Sequence, residues 1–367
     1  MDYKDLNVLD PELKVITELE GDGKFTIGLP ANYADDEETR FLLTPEACGL
    51  ITSAGLKIKM EADAGIDISF SDDAYAEYGV EITDRDTVLK ADLVLSFCPL
   101  KKEDVMKMRK GTALLCMMGN ELFKAATIEA LLERNITCGV LDNMYSSYND
   151  EPVFANVINE IDGRAAILYA QEHLSYLGGG KGVLLAGVAG INPCEVLIIG
   201  EGMDVCYAAK AAIAAGATVT LVNNDISALQ TARQFCGEAL TTIAIHPRVL
   251  YNKCKTADVL ILGETTRPFT FPNKLNRIMK DSAFVLNFKD NHPSAAVPRT
   301  VAMGLSNVLV NFLDEMVIKN GLEGMIMTSE GVQCGIITYH GTLVDKLIAS
   351  YLSKPSVDIK IMLTAKN

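Results

Sequence analysis

The chain has 367 residues, 49% of them hydrophobic, and a net charge of −15. Its length favours two domains, each with its own core, and its charge argues against a nucleic-acid backbone or an anionic membrane surface as partner. Nine cysteines without a C-x-x-C pair fit a reducing cytosol and small buried side chains rather than disulfides or a zinc site, and with no signal peptide and no run near the ~18 apolar residues of a membrane span a soluble, cytoplasmic protein is expected.

In chain order, short apolar runs predict strands at Phe25–Leu29, Leu56–Met60, Asp92–Phe97, Ala113–Met117 and Ile136–Leu141. Helical patterns alternate with them at Pro45–Ala54, Asp72–Tyr78, Lys102–Met108 and Ala125–Arg134, which makes a first α/β unit. A long helix from Asn156 to about Leu177 then crosses to Gly178-Gly179-Gly180, whose glycines mark its end. A second unit follows, with strands at Val196–Ile199, Val219–Val222, Thr242–Ile245, Val259–Leu262 and Phe284–Asn287. Its helices fall at Met203–Ala215, Ile226–Cys236, Leu250–Cys254 and Lys274–Met279, and a helix over Leu305–Ile318 returns to the first unit.

The most informative stretch is Glu195–Cys206, a buried strand, a tight glycine turn and the first turn of a helix. In a Rossmann domain that is where a dinucleotide pyrophosphate is held. Gly200 and Gly202 take the first two places of G-x-G-x-x-G, but the third is Val205, and Glu201 and Asp204 stand where phosphate would arrive. A carboxylate in the first helical turn stabilises that helix by roughly 0.3–1 kcal/mol and can satisfy its free amides itself. It would repel a pyrophosphate ~4 Å away by about 1 kcal/mol or more. A dinucleotide such as NAD is the cofactor such a turn would take, and these carboxylates speak against it. Asn223, at the end of the next strand, can hydrogen-bond a ribose hydroxyl more weakly than the usual acid.

Taken together, Thr39-Arg40 before Leu43-Thr44-Pro45, Gly163-Arg164, the run Gly179–Gly187, the Gly200 turn, Val297-Pro298-Arg299-Thr300 and Leu305-Ser306-Asn307 resemble the alanine dehydrogenase and nicotinamide nucleotide transhydrogenase α-subunit family. The resemblance implies two Rossmann-like domains: a discontinuous substrate-type domain, residues 1–155 plus 301–367, with a dinucleotide-binding-type domain, 156–300, inserted in it. It also implies a site made of an arginine for the substrate carboxylate, a lysine that polarises the carbonyl, a histidine that exchanges the proton, and a strand-end aspartate. Arg40 matches the arginine and Asp290 the aspartate, whereas the lysine place holds Cys98 and the histidine place falls at about Gly119. In the family a further strand and loop precede the V-P-R-T motif; here Asn291–Ala296 is too short to hold them, so Phe284–Asn287 is expected at or near the edge of its sheet.

Each candidate has two readings. Arg40, beside Glu37 and Glu38, is either a solvated surface charge or a retained anion site. Asp290 either caps a turn or keeps the catalytic role, and His292 is the histidine near that strand end that would serve as a relocated proton carrier. Asn159 stands where a serine of the family's crossing helix faces the cofactor, or else is a polar partner for the strand ends. The function expected from these departures is a homo-oligomeric, divergent family member with degenerate catalytic and NAD sites, weak or inactive as an amino-acid dehydrogenase and open to a small-molecule ligand. The alternatives are a working NAD(H)-dependent dehydrogenase rearranged around Arg40, Asp290 and His292, and a transhydrogenase-like nucleotide-binding subunit.

Overall fold

The computed structural model describes residues 25–34, 37–118, 123–146, 149–266 and 278–364. Within it the chain divides into two compact units, Met1–Ala155 with Pro298–Asn367, and Asn156–Val297. In chain order the strands are β1 (Thr26–Leu29), β2 (Lys57–Glu61), β3 (Glu81–Thr83), β4 (Leu93–Ser96), β5 (Ala113–Cys116), β6 (Thr137–Val140), β7 (Glu195–Ile199), β8 (Thr218–Asn223), β9 (Thr241–Ala244), β10 (Val259–Leu262), β11 (Phe284–Asn287), β12 (Ile336–Tyr339) and β13 (Thr342–Leu343).

The first unit holds one sheet in the order β13-β12-β6-β5-β4-β1-β2-β3, and the second a sheet in the order β11-β10-β7-β8-β9. Pairing is parallel throughout except for β12, antiparallel to both β6 and β13. Both sheets reverse direction of growth once, beside β1 in the first and beside β7 in the second. This is Rossmann-like order, in which a crevice opens past the carboxyl ends of the strands that flank the reversal. The first unit's crevice therefore follows β1 and β4, and the second's follows β7 and β10.

The local causes are visible. Thr44 accepts a hydrogen bond from the Ala47 amide (3.4 Å) and Pro45 takes the first helical place, so helix Pro45–Ser53 starts where its cap and fixed φ dictate. In β7, Val196 and Ile198 join one buried cluster while Leu197 and Ile199 join another on the opposite face. A parallel sheet covered on both faces reads as an unbroken apolar run, which is why these strands were legible. Six of the nine cysteines are buried, as small apolar residues would be.

Several boundaries differ from expectation. The crossing helix runs Val153–Leu174, and the return helix begins at Pro298, not Leu305, because Pro298 opens it at N1. Short, polar β3 and the tail strands β12 and β13 carry too little pattern to have been predicted. The predicted helix Lys274–Met279 lies largely outside the described residues. β11 is an edge strand, and a single 3-10 turn, Pro293–Ala296, leads from it to Val297. The return helix also corrects the expectation that no stretch suits a membrane: an 18-residue window has mean hydropathy 1.4. It packs as a core helix, burying Val301, Leu305, Leu309, Phe312 and Leu313.

Candidate functional site

At the first reversal, β1 delivers the loop that carries Arg40 and β4 delivers Phe97 and Cys98. The loop is held by a half-buried polar network. Arg85 donates to Glu61 (2.7 Å), Asp104 (2.8 Å) and the Ala31 carbonyl (3.0 Å), and the Tyr33 hydroxyl donates to Asp104 (2.6 Å). Burial, followed by the hydrogen bond to Asp104, pushes the Tyr33 phenol up, so it stays a neutral donor. Asn32 completes the brace by donating to the carbonyls of Glu38 (3.1 Å) and Arg40 (2.9 Å).

Arg40 is not the solvated charge of one reading. It is 2% exposed, donates through Nε (2.8 Å) and Nη2 (2.7 Å) to the two carboxylate oxygens of Glu38, and lies over the Phe97 ring at 4.4 Å. A bidentate, stacked guanidinium is the arrangement with which arginine recognises a carboxylate. Here the carboxylate comes from the chain itself. Cys98 Sγ sits 3.8 Å from Glu38 Oε2, and its pKa is pushed up to about 12, first by burial and then by Glu38, so it is a neutral thiol and no reactive nucleophile. The space left among Tyr33, Glu38, Ser96 and Cys98 is about 10 Å³, enough for one water. Gly119, at the family's histidine place, lies outside the described residues.

At the second reversal, Gly200 has φ +148°, and a Cβ there would come within 2.8 Å of Gly263. Only glycine permits this approach of the turn to the end of β10. The Glu201 amide donates to the Glu264 carbonyl at 2.8 Å, while its carboxylate turns toward Thr266 and Asn223 rather than standing at the phosphate position. The ribose role expected of Asn223 meets an engaged side chain: its amide donates to the Gly200 carbonyl (2.8 Å) and to Glu201 (3.2 Å), and its oxygen accepts from the Asp225 amide (2.9 Å). Asn223 buttresses the turn from within.

Gly202, with φ +115°, precedes helix Met203–Ala214, and Asp204 lies in that helix's first turn. Burial raises the Asp204 pKa to about 6; hydrogen bonds from the Val205 and Asp204 amides pull it down, and the charges of Asp162 and Glu264 push it up again. A carboxylate therefore stands in the first turn of the helix whose amides would greet a phosphate. Val205, in the third glycine's place, is accommodated from the other side, since a Cβ on Gly263 would meet Val205 Cγ2 at 2.3 Å. Close packing of helix against strand has moved its glycine from one partner to the other. Gly163 does the same for the crossing helix, where a Cβ would meet the Asp204 carbonyl at 2.4 Å.

The remaining candidates are spread over the second unit. Asn159 is half-buried in the crossing helix, while Asp290 and His292 are exposed beyond β11. Asp290 accepts from the Asn287 side chain, as a turn-capping acid does. Sequence reasoning missed the brace of Glu61, Arg85 and Asp104, whose members are distant in the chain and carry no motif, and also missed that Glu38 is the partner of Arg40.

Two family models match the chain: "Alanine dehydrogenase/PNT, N-terminal domain" over residues 28–156 and "Alanine dehydrogenase/PNT, C-terminal domain" over residues 166–267. The chain is 26% identical to the alanine dehydrogenase of Mycolicibacterium smegmatis over 367 residues, covering 90% of this chain and 98% of that one. Among solved structures it resembles an L-alanine dehydrogenase (TM-score 0.78, 20% identity, 92% of this chain and 100% of the other). It also resembles a transhydrogenase from Sinorhizobium meliloti (TM-score 0.70, 16% identity, 88% and 99%).

Proposed function

The chain belongs to the alanine dehydrogenase/PNT family, and on that premise we propose that it keeps the family's fold while its own carboxylates fill the places where the family's ligands would bind. The activity that follows is that of a weak or inactive alanine dehydrogenase, a binding or regulatory protein rather than a working oxidoreductase. One observation carries this reading: Arg40 is buried in a bidentate pair with Glu38. A substrate carboxylate would have to expel Glu38 into water and occupy a space of about 10 Å³. Cys98 adds to it, since a neutral thiol supplies no positive charge to a carbonyl.

NAD(H) is the cofactor that family membership suggests, and the residues present fit a pyrophosphate poorly: the Asp204 carboxylate stands in the first turn of the helix that would receive it, and the Glu264 carbonyl takes the Glu201 amide. We assign it binding in the millimolar range, about −4 kcal/mol. The cytoplasmic location and the homo-oligomeric assembly expected from sequence belong to the same proposal.

The test is an assay of the purified protein for reductive amination of pyruvate with NADH and ammonium, alongside calorimetric titration of NADH. Loss of a positioned acid–base group removes about 10²–10⁴-fold in rate, and loss of the charge on the developing oxyanion about 10²–10³-fold more. No turnover is expected, at neutral or raised pH. Turnover of about 1 s⁻¹ or more that disappears in Asp290→Ala or His292→Ala would overturn the proposal in favour of the rearranged site.

A further inference from the structure

We infer that the groove between helix Pro45–Ser53 and the return helix Pro298–Ile318 binds a small amphipathic monocarboxylate, at a site that shares no residue with the Arg40 pair. The groove measures about 510 Å³, within the range of about 300–1,000 Å³ typical of small-molecule sites. Its walls are apolar where Leu50, Met303 and Val310 line it. Leu50 is 62% and Met303 56% exposed, so the fold leaves this apolar surface open to solvent.

Arg299 supplies the charge. Its guanidinium lies over the Phe70 ring at 4.1 Å, and its hydrogen bond to the Ser69 carbonyl is long, at 3.5 Å. Arg40, Arg85, Arg109, Arg164 and Arg233 each pair with an acidic side chain; among the described residues Arg299 does not. A guanidinium held flat by an aromatic face, with one donor on a long bond to a carbonyl and no carboxylate partner among the described residues, is prepared for a planar anion. Glu46 also lines the groove, and its charge disfavours a second anionic group on the ligand. Asn307, on the same wall, offers a carboxamide to a neutral or cationic polar group. A single carboxylate at one end, an apolar body and an uncharged or positive far end is the chemistry that satisfies all four features.

The chain has no tryptophan, so Leu50→Trp at the groove rim gives a single fluorescent reporter. Titration with 3-phenylpropanoate is expected to give a saturable change, weakened at least about tenfold by Arg299→Gln in the same background, the usual consequence of losing a charge-assisted hydrogen bond. Phenylsuccinate, with two carboxylates, is expected to bind less tightly than 3-phenylpropanoate and to recover in Glu46→Gln. Val310→Phe, which narrows the groove without touching the charges, is expected to abolish binding in a protein whose thermal unfolding stays cooperative. No saturable change up to about 10 mM (about −3 kcal/mol), or a response indifferent to Arg299→Gln or to Val310→Phe, overturns the inference.

Discussion

The two sheet reversals are closed by the same device with opposite energetics. At the first, a carboxylate in the ligand's place arrives with its counter-charge: Glu38 and Arg40 are 12% and 3% exposed at their side chains and bound through two hydrogen bonds. At the second, Asp204 is buried in a first helical turn without a cationic partner among the described residues, and Asp162 and Glu264 add like charge. Burying a charge is costly unless it is paired. The first closure is therefore locked and the second strained, so a ligand at the second has less to displace.

Breaking the locked closure has the largest expected effect. Glu38→Gln removes the anion that Arg40 grips through two hydrogen bonds and is expected to destabilise by about 3–5 kcal/mol, read from the urea midpoint at unchanged slope. Replacing both partners, Glu38→Leu with Arg40→Met, is expected to be close to neutral, since the desolvation of two ions goes with the pair. A single variant as mild as the double one would show that the pair is not what holds this loop.

The strained closure is expected to respond in the other direction. The folded pKa of Asp204, about 6, exceeds the ordinary carboxylate value of about 3.9, so between these limits the native state binds a proton that the unfolded chain has released. Stability is then expected to fall as pH rises from about 4 to 6 and to level off above, and Asp204→Asn to be more stable at pH 7 by roughly 2–3 kcal/mol with that slope removed. If the carboxylate also blocks the helix amides, the same variant tightens NADH binding about tenfold. A tighter complex without added stability, or the reverse, would separate strain from blockage.

The smallest expected effect tests the exchanged glycine. Gly263→Ala drives a methyl into Val205 and is expected to cost about 1–3 kcal/mol. Adding Val205→Ala should restore most of it, a coupling that a double-mutant cycle measures; two additive losses would mean that the residues do not share one space.

Legibility followed period and chain distance. The parallel strands β4, β5, β7, β8 and β10 were readable because both their faces are buried, and helix Pro45–Ser53 because Thr44 and Pro45 announce it. β3 and β13 were not, being two or three residues long with polar members. At the site, Gly200 and Gly202 were found through their motif and Arg40 through its match to the family's arginine. The neighbouring Glu38 was seen as a charge without being recognised as a partner, because two residues apart in a loop is a spacing with no fixed geometry. Arg85 and Asp104 meet across a separation that no local pattern records, and Gly263 answers Val205 from another strand.

The antiparallel strand β12 gives the molecule a definite order in time. The Cys138 amide in β6 donates to the hydroxyl of Thr338, 200 residues later (3.2 Å), and the return helix that buries Leu305 and Leu309 also emerges late from the ribosome. The second unit, by contrast, carries all five of its strands in one continuous stretch. During synthesis the inserted unit can therefore close its sheet while β6 still presents a bare edge, the exposed template on which unfinished chains aggregate. The tail is the stopper for that edge, and a nascent chain that loses it carries an open β6 however well its second unit has folded.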